Sequence, residues 1–286
     1  TYSIAIKHTN TFGEDSNTDW EILNVSNTGV ISWNKSVWTQ SIQSYEASFG
    51  QDLDGDSAIG LNLTNLTSVD TDTHSDVLKK NSNGDFYIVT EAGEYIAITE
   101  SWGGAARFDF SDQWSGGSHT SKAVAVEDVT YTNISGESVE GYVIAIKNSG
   151  TYGSEQFTDW ELRYTDDKGV IDWNNSIWTQ SIKSKESLFG TNAEQADLDG
   201  DGAFGLDSSA LDSVSTDTTG DLLKKDDANA LYIINDKGTS DTSDDETIAL
   251  VDQWGGTPTF DWSDSGGSGD YAWAYSSAAY AVESFD

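Results

Sequence analysis

The sequence predicts a mainly β protein, antiparallel and α+β in detail, made of two tandem homologous units. Each unit is expected to carry a short helix leading into an EF-hand-like acidic loop. Three observations predict this. The chain repeats itself from end to end, its apolar segments are short and divided by turn residues, and an aspartate-rich loop occurs once per repeat.

The repeat sets the organisation. "YSIAIK" at 2–7 returns as "YVIAIK" at 142–147, and "TDWE" at 18–21 returns at 158–161. "GVISWNKSVWTQSI" at 29–42 returns as "GVIDWNNSIWTQSI" at 169–182. After "EASFG" at 46–50 and "ESLFG" at 186–190, the insertion "TNAEQ" at 191–195 shifts the register. The match resumes with "TDTHSDVLKKNSNGDFYIV" at 71–89 against "TDTTGDLLKKDDANALYII" at 216–234. A second insertion near "TSDTSDDE" precedes "WGGTPTFDWSD" at 254–264, which answers "WGGAARFDFSD" at 102–112. The ends correspond too, "AVAVE" at 123–127 to "AYAVE" at 279–283. The period is domain-sized, about 140–155 residues. The expected units are 1–137 and 138–286.

Within each unit the local pattern is strand. "YSIAIK" and "YVIAIK" alternate and are β-branched, while "DFYIV", "EYIAI", "LYII" and "ETIALV" are short apolar runs bounded by Asn, Gly and Asp. The exception is "SIQSYEASFG", with its counterpart "SIKSKESLFG". Ile42, Tyr45 and Phe49 fall at i, i+3 and i+7, a helical spacing, and Gly50 is placed to end the helix.

The helix leads into "QDLDGDSAIG" at 51–60 and, in the second unit, "ADLDGDGAFG" at 196–205. Carboxylates this close repel one another unless water or a cation neutralises them. In an EF-hand-type reading, Asp52, Asp54 and Asp56 take positions one, three and five. The Ala58 carbonyl takes seven and Ile59 packs at eight. Asp197, Asp199, Asp201, the Ala203 carbonyl and Phe204 repeat the set. These are hard oxygen ligands, suited to Ca²⁺. Gly202 supplies the sharp turn at position six, where the first loop has Ser57. The second loop is therefore expected to hold its ion better. Position twelve is Leu63 or Ser208 instead of a bidentate glutamate. The missing ligands are sought in Asn62 or Asp207, in a distant acid, or in water, and the expected affinity is modest. The bland alternative is a solvated Asp/Gly turn.

The charge narrows the choice of partners. The 286 residues include 49 acidic side chains against 14 Lys plus Arg, a net charge of −35. Such a surface repels nucleic acid and anionic membranes, so neither is an expected partner. No apolar run reaches membrane-spanning length, which argues against membrane insertion. The absence of Cys excludes disulfides, thiolate metal sites and cysteine nucleophiles. With Met absent as well, the composition agrees with an extracellular setting.

Other residues invite a chemical reading. Trp20, Trp33, Trp38 and Trp102 repeat as Trp160, Trp173, Trp178 and Trp254. Scarce aliphatic residues point to core packing for these rings rather than sugar stacking. Trp114 and Trp273, in Gly/Ser-rich stretches, are expected at the surface. "FDFSD" and "FDWSD" pair Asp109 with Asp112 and Asp261 with Asp264. Nothing in these pairs distinguishes an acid from a base, so a solvated turn or a second weak cation site is expected before glycoside hydrolysis. His8 and His74 face Asn148 and Thr219 in the other repeat, and His119 lies in a diverged region, so no duplicated catalytic histidine exists.

The series "YVIAIKN…TDWEL…GVIDW…ESLFG…ADLDGDGAFG" resembles the tryptophan-rich Synechocystis-type C-terminal domain. That family's pattern runs from a strand through spaced tryptophans and a Glu-x-x-Phe helix to an aspartate-rich loop ending in Ile-Gly. The resemblance implies repeats of large secreted cyanobacterial or marine bacterial proteins, a cell-surface setting and no catalytic activity. In that family the acidic loop closes the domain, which implies a permuted unit at about 61–205. The expected function is a calcium-binding structural module of a surface layer, filament or adhesin, self-associating or meeting other surface proteins. The alternative is a carbohydrate-binding module that stacks glycans on exposed Trp, and a glycan-processing enzyme comes third.

Overall fold

The computed structural model describes residues 1–12, 15–235, 246–253, 255–258, 260, 262–266 and 272–283. The side chains of 12, 15–17, 193–194 and 262–266 fall outside that description. Among the described residues the fold is mainly antiparallel β, as expected.

The first sheet is a long hairpin with a short third strand: β1 (Tyr2–Phe12), β2 (Asp15–Val25) and β3 (Val37–Thr39). The second holds β4 (Thr67–Thr71), β5 (Val77–Lys80), β6 (Phe86–Val89) and β7 (Tyr95–Ala97) in chain order, as a meander. A five-stranded sheet follows, made of β8 (Phe110–Trp114), β9 (Gly117–Thr132), β10 (Ser138–Tyr152), β11 (Glu155–Asp166) and β12 (Ile171–Thr179). A second four-stranded meander holds β13 (Asp212–Thr216), β14 (Leu222–Lys225), β15 (Leu231–Asn235) and β16 (Glu246–Ala249). Strands β17 (Trp262–Gly266) and β18 (Trp273–Ser277) pair by themselves.

The two meanders agree in detail. Leu78 stands opposite Ile88, and Leu223 opposite Ile233. The first strand pair slips between Ser68 and Asp70 in one meander and between Ser213 and Ser215 in the other. Burial concentrates on the third strand of each meander, at Phe86, Tyr87 and Ile88 and at Leu231, Tyr232 and Ile234.

The chain divides into two compact units. One comprises Thr1–Phe110, Asp128–Val143 and Tyr164–Asn174, and the other Ser111–Glu127, Ile144–Arg163 and Asn175–Asp286. In the first, Trp20, Ile22 and Ile42 form a buried cluster that Ala5, Tyr45, Phe49 and Leu53 pack against. In the second, Leu211, Ala230, Tyr232 and Ile234 are packed by Leu206, Leu222 and Ala249.

The predicted helix is present as α1 (Gln43–Phe49). It ends where expected: Gly50 adopts φ +63° and its N–H donates to the Glu46 carbonyl at 2.7 Å. Its counterpart, Lys183–Leu188, is a 3-10 helix, and the short helix α2 (Ala193–Ala196) falls within and just after the "TNAEQ" insertion.

The tryptophan expectation needs correction. Among the described residues, only Trp20 and Trp160 are buried, at 6% and 2% exposure. Trp33, Trp38, Trp102, Trp173 and Trp178 are all exposed. The cause is strand alternation: Thr39 and Thr179 hold the inward positions, so Trp38 and Trp178 beside them point outward. Trp33 sits on a 3-10 turn with no buried residue. Trp114 and Trp273 are exposed as expected, and Trp254 lies outside the described residues.

Candidate metal centre

Both acidic loops are organised around a glutamate from the preceding helix. Glu46 is fully buried. Its Oε1 accepts the N–H groups of Leu53 at 2.7 Å and Asp54 at 3.1 Å, and its Oε2 accepts that of Gly60 at 2.8 Å. One carboxylate thus clamps the start and the end of the loop. Glu186, also buried, does the same through Leu198 at 2.7 Å, Asp199 at 3.3 Å and Gly205 at 2.8 Å. The spacing to the first aspartate differs, six residues in one copy and eleven in the other, yet the clamp is unchanged. The "TNAEQ" insertion is accommodated between clamp and loop.

The aspartates then fold each loop onto itself. Asp52 accepts the N–H groups of Gly55 at 2.7 Å and Ser57 at 3.0 Å. Asp54 accepts that of Asp56 at 3.0 Å, and Asp56 that of Ala58 at 2.8 Å. In the second loop Asp197 accepts from Gly200 at 2.8 Å and Gly202 at 2.9 Å, Asp199 from Asp201 at 3.0 Å, and Asp201 from Ala203 at 2.8 Å. Position six needs a positive φ in both copies, +74° at Ser57 and +84° at Gly202.

The loops draw acidic groups close enough together to hold a metal ion. Glu46, Asp52 and Asp54 each offer a carboxylate oxygen within 4.8 Å of the others, and Glu186, Asp197 and Asp199 do likewise. Asp56 and Asp201 fall outside these groups. Of the position-eleven side chains, Asn62 also bonds back into the loop, its Nδ2 donating to the Asp56 carbonyl at 3.2 Å, and both meet the next segment. Asn62 Oδ1 accepts the Thr64 N–H at 3.2 Å, and Asp207 Oδ1 accepts the Ser209 N–H at 2.8 Å. The buried glutamates, not these residues, complete the acidic groups. Their signal was in the sequence, as the glutamate shared by "EASFG" and "ESLFG" just before each loop.

The copies differ at the residue three before the glutamate. In the first, Gln43 Nε2 donates to Asp54 Oδ2 at 2.6 Å. In the second, Lys183 stands there, with its ammonium 2.5 Å from Asp201, 3.6 Å from Asp199 and 3.4 Å from Asp227. Ser82 is the counterpart of Asp227, so the first copy lacks both the cation and its third carboxylate. Burial works against the Lys183 charge, but Asp201, Asp199 and Asp227 outweigh it and raise the pKa. The hydrogen bond from Lys183 in turn lowers the Asp201 pKa. Burial raises the pKa values of Asp54 and Asp199.

A cavity lies beside each loop. The first, about 350 Å³, is lined by Lys7, Trp20, Gln43, Asp54 and Arg107 among others. The second, about 460 Å³, is lined by Lys147, Trp160, Lys183, Asp199 and Asp227 among others. Lys7 and Lys147 lie 5.3 Å and 5.0 Å from the ring centroids of Trp20 and Trp160.

Of the other candidates, Asp109 is ion-paired with Lys80, and Asp112 is exposed on β8. Asp261 and the side chain of Asp264 lie outside the described residues. Comparison with protein-family models, curated proteins and solved structures finds no match to this chain.

Proposed function

We propose that the chain is a calcium-stabilised, non-enzymatic tandem module of a bacterial extracellular or cell-surface protein. In this reading Ca²⁺ is held by Asp52, Asp54, Asp56 and the Ala58 carbonyl, and by Asp197, Asp199, Asp201 and the Ala203 carbonyl. The observation that carries it is the repeated clamp, in which a buried glutamate fixes two ends of an acidic loop in both copies. Two buried carboxylates spent on shaping acidic loops fit an oxygen-ligand cation site better than a turn that only meets water. The units 1–137 and 138–286, or the permuted unit 61–205, are proposed as its repeats, supported by the matching registers of the two meanders. A surface-layer, filament or adhesin role, with self-association or other surface proteins as partners, rests on the family resemblance and on the acidic composition.

The test is melting in calcium, in magnesium and in chelator at matched ionic strength. Binding to the native state alone at about 100 times Kd stabilises by about 2.7 kcal/mol per site. Calcium is expected to raise the midpoint well above magnesium. Equal effects of the two ions would reduce the loops to solvated turns.

A second reading, carbohydrate binding, is favoured by the outward-facing Trp33, Trp38, Trp173 and Trp178. Saturable binding on a glycan array, lost on Trp38→Ala, would support it.

A further inference from the structure

The turn between β4 and β5 carries a different set of donors from the acidic loops. Asp72 begins it, and Oδ1 accepts the N–H groups of His74 at 2.9 Å and Asp76 at 2.7 Å. The residue is 6% exposed, and its second oxygen, Oδ2, is buried with no hydrogen-bond partner. A buried carboxylate oxygen left in this state costs free energy unless something meets it. Burial, followed by the nearby Asp76 and Asp128 charges, raises the Asp72 pKa.

The second repeat shows what normally meets it. There Asp217 takes the place of Asp72, and the Thr219 hydroxyl lies 2.9 Å from each of its carboxylate oxygens. The first repeat has His74 at that position. The substitution removes the hydroxyl that would satisfy Oδ2 and puts an imidazole nitrogen within 4.8 Å of the Asp72 carboxylate. His74 Nδ1 lies 2.5 Å from Asp128 Oδ1, and Asp72, His74 and Asp128 each offer a ligand atom within 4.8 Å of the others.

We propose that Asp72, His74 and Asp128 form a site for a divalent transition-metal ion of the zinc class. One imidazole nitrogen with two carboxylate oxygens suits a borderline ion of this kind, whereas calcium prefers oxygen alone. Tetrahedral bonds of about 2.1 Å place ligands about 3.4 Å apart, so His74 and Asp128 must separate slightly. Both side chains lie at the surface, 70% and 46% exposed. The buried Asp72 oxygen gives the site its fixed point. The site is separate from both acidic loops and does not depend on the calcium reading.

The experiment is calorimetric titration of the whole chain with zinc chloride, in excess calcium so that weak carboxylate sites are occupied. One equivalent is expected to bind. His74→Thr, which installs the residue of the second repeat, should weaken binding beyond the roughly 10–100-fold that loss of an outer partner costs, and Asp72→Asn should do likewise. His8→Asn, which copies Asn148, should leave binding unchanged. Nitrogen-15 spectra of the three histidines should show zinc shifting Nδ1 of His74 alone. Circular dichroism would establish that each variant is folded. Absence of zinc binding, or equal binding by wild type and His74→Thr, would overturn the proposal and leave an ordinary histidine–aspartate pair.

Discussion

The two acidic loops have nearly the same sequence and the same backbone clamp, but different neutralising groups. The first loop, 52–60, meets the amide of Gln43. The second, 197–205, meets the ammonium of Lys183, held among three carboxylates. A tethered cation already does in the second loop part of what calcium would do. Backbone preparation favours the second loop, through Gly202 in place of Ser57, whereas charge favours the first. A full charge a few ångströms from a divalent ion is worth more than one residue's backbone strain. The order of affinity expected from the loop sequences alone is therefore reversed: under the proposed calcium function, the first loop is expected to be the stronger site.

The largest expected effect tests what the loops share. Glu46→Ala and Glu186→Ala each leave three backbone N–H groups without their carboxylate, and each should cost about 3–5 kcal/mol in urea unfolding. A loss under about 1 kcal/mol in either copy would mean that its clamp is not structural.

Next comes calcium itself. Asp54→Ala should remove most of one site's stabilisation, about 2.7 kcal/mol at a calcium concentration of 100 times Kd, and Asp199→Ala should remove less. The readout is the calcium-dependent part of the melting shift. A larger loss from Asp199→Ala would restore the order expected from the loop sequences.

Exchanging the neutralising groups sharpens the comparison further. Lys183→Gln should raise calcium affinity at the second loop about tenfold, and Gln43→Lys should lower it at the first by a similar factor, each about 1.4 kcal/mol. In chelator the signs reverse, with Lys183→Gln destabilising the metal-free protein. Calcium isotherms of the two single variants that match wild type would show that the ammonium does not compete.

The smallest effect concerns the turn. Ser57→Gly should stabilise by about 0.5–1 kcal/mol, because relief of a positive φ is partly offset by the entropy of glycine in the unfolded chain. The gain should appear in chelator as well as in calcium, as thermal melts would show.

Much was legible in the sequence because it is local. Period-two apolar runs bounded by Asn, Gly and Asp specify strands and turns wherever they occur. The spacing of Ile42, Tyr45 and Phe49 with Gly50 specified α1 and its stop, since both depend only on residues within a few positions. The alternate aspartates likewise encode their own turn, each carboxylate reaching an N–H two to five residues ahead.

What the tertiary structure decided is which side of each strand is covered and which distant groups meet the loops. Trp38 and Trp20 look equally apolar in sequence, but the inward register leaves one at the surface and the other in the core. Glu46 and Glu186 reach their loops across different chain separations, and Lys183 finds Asp227 from a different sheet's turn. Asp72 and Asp128 meet through His74 although 56 positions separate them. Long-range contacts of this kind depend on how packed elements are arranged in space, which no spacing rule along the chain encodes.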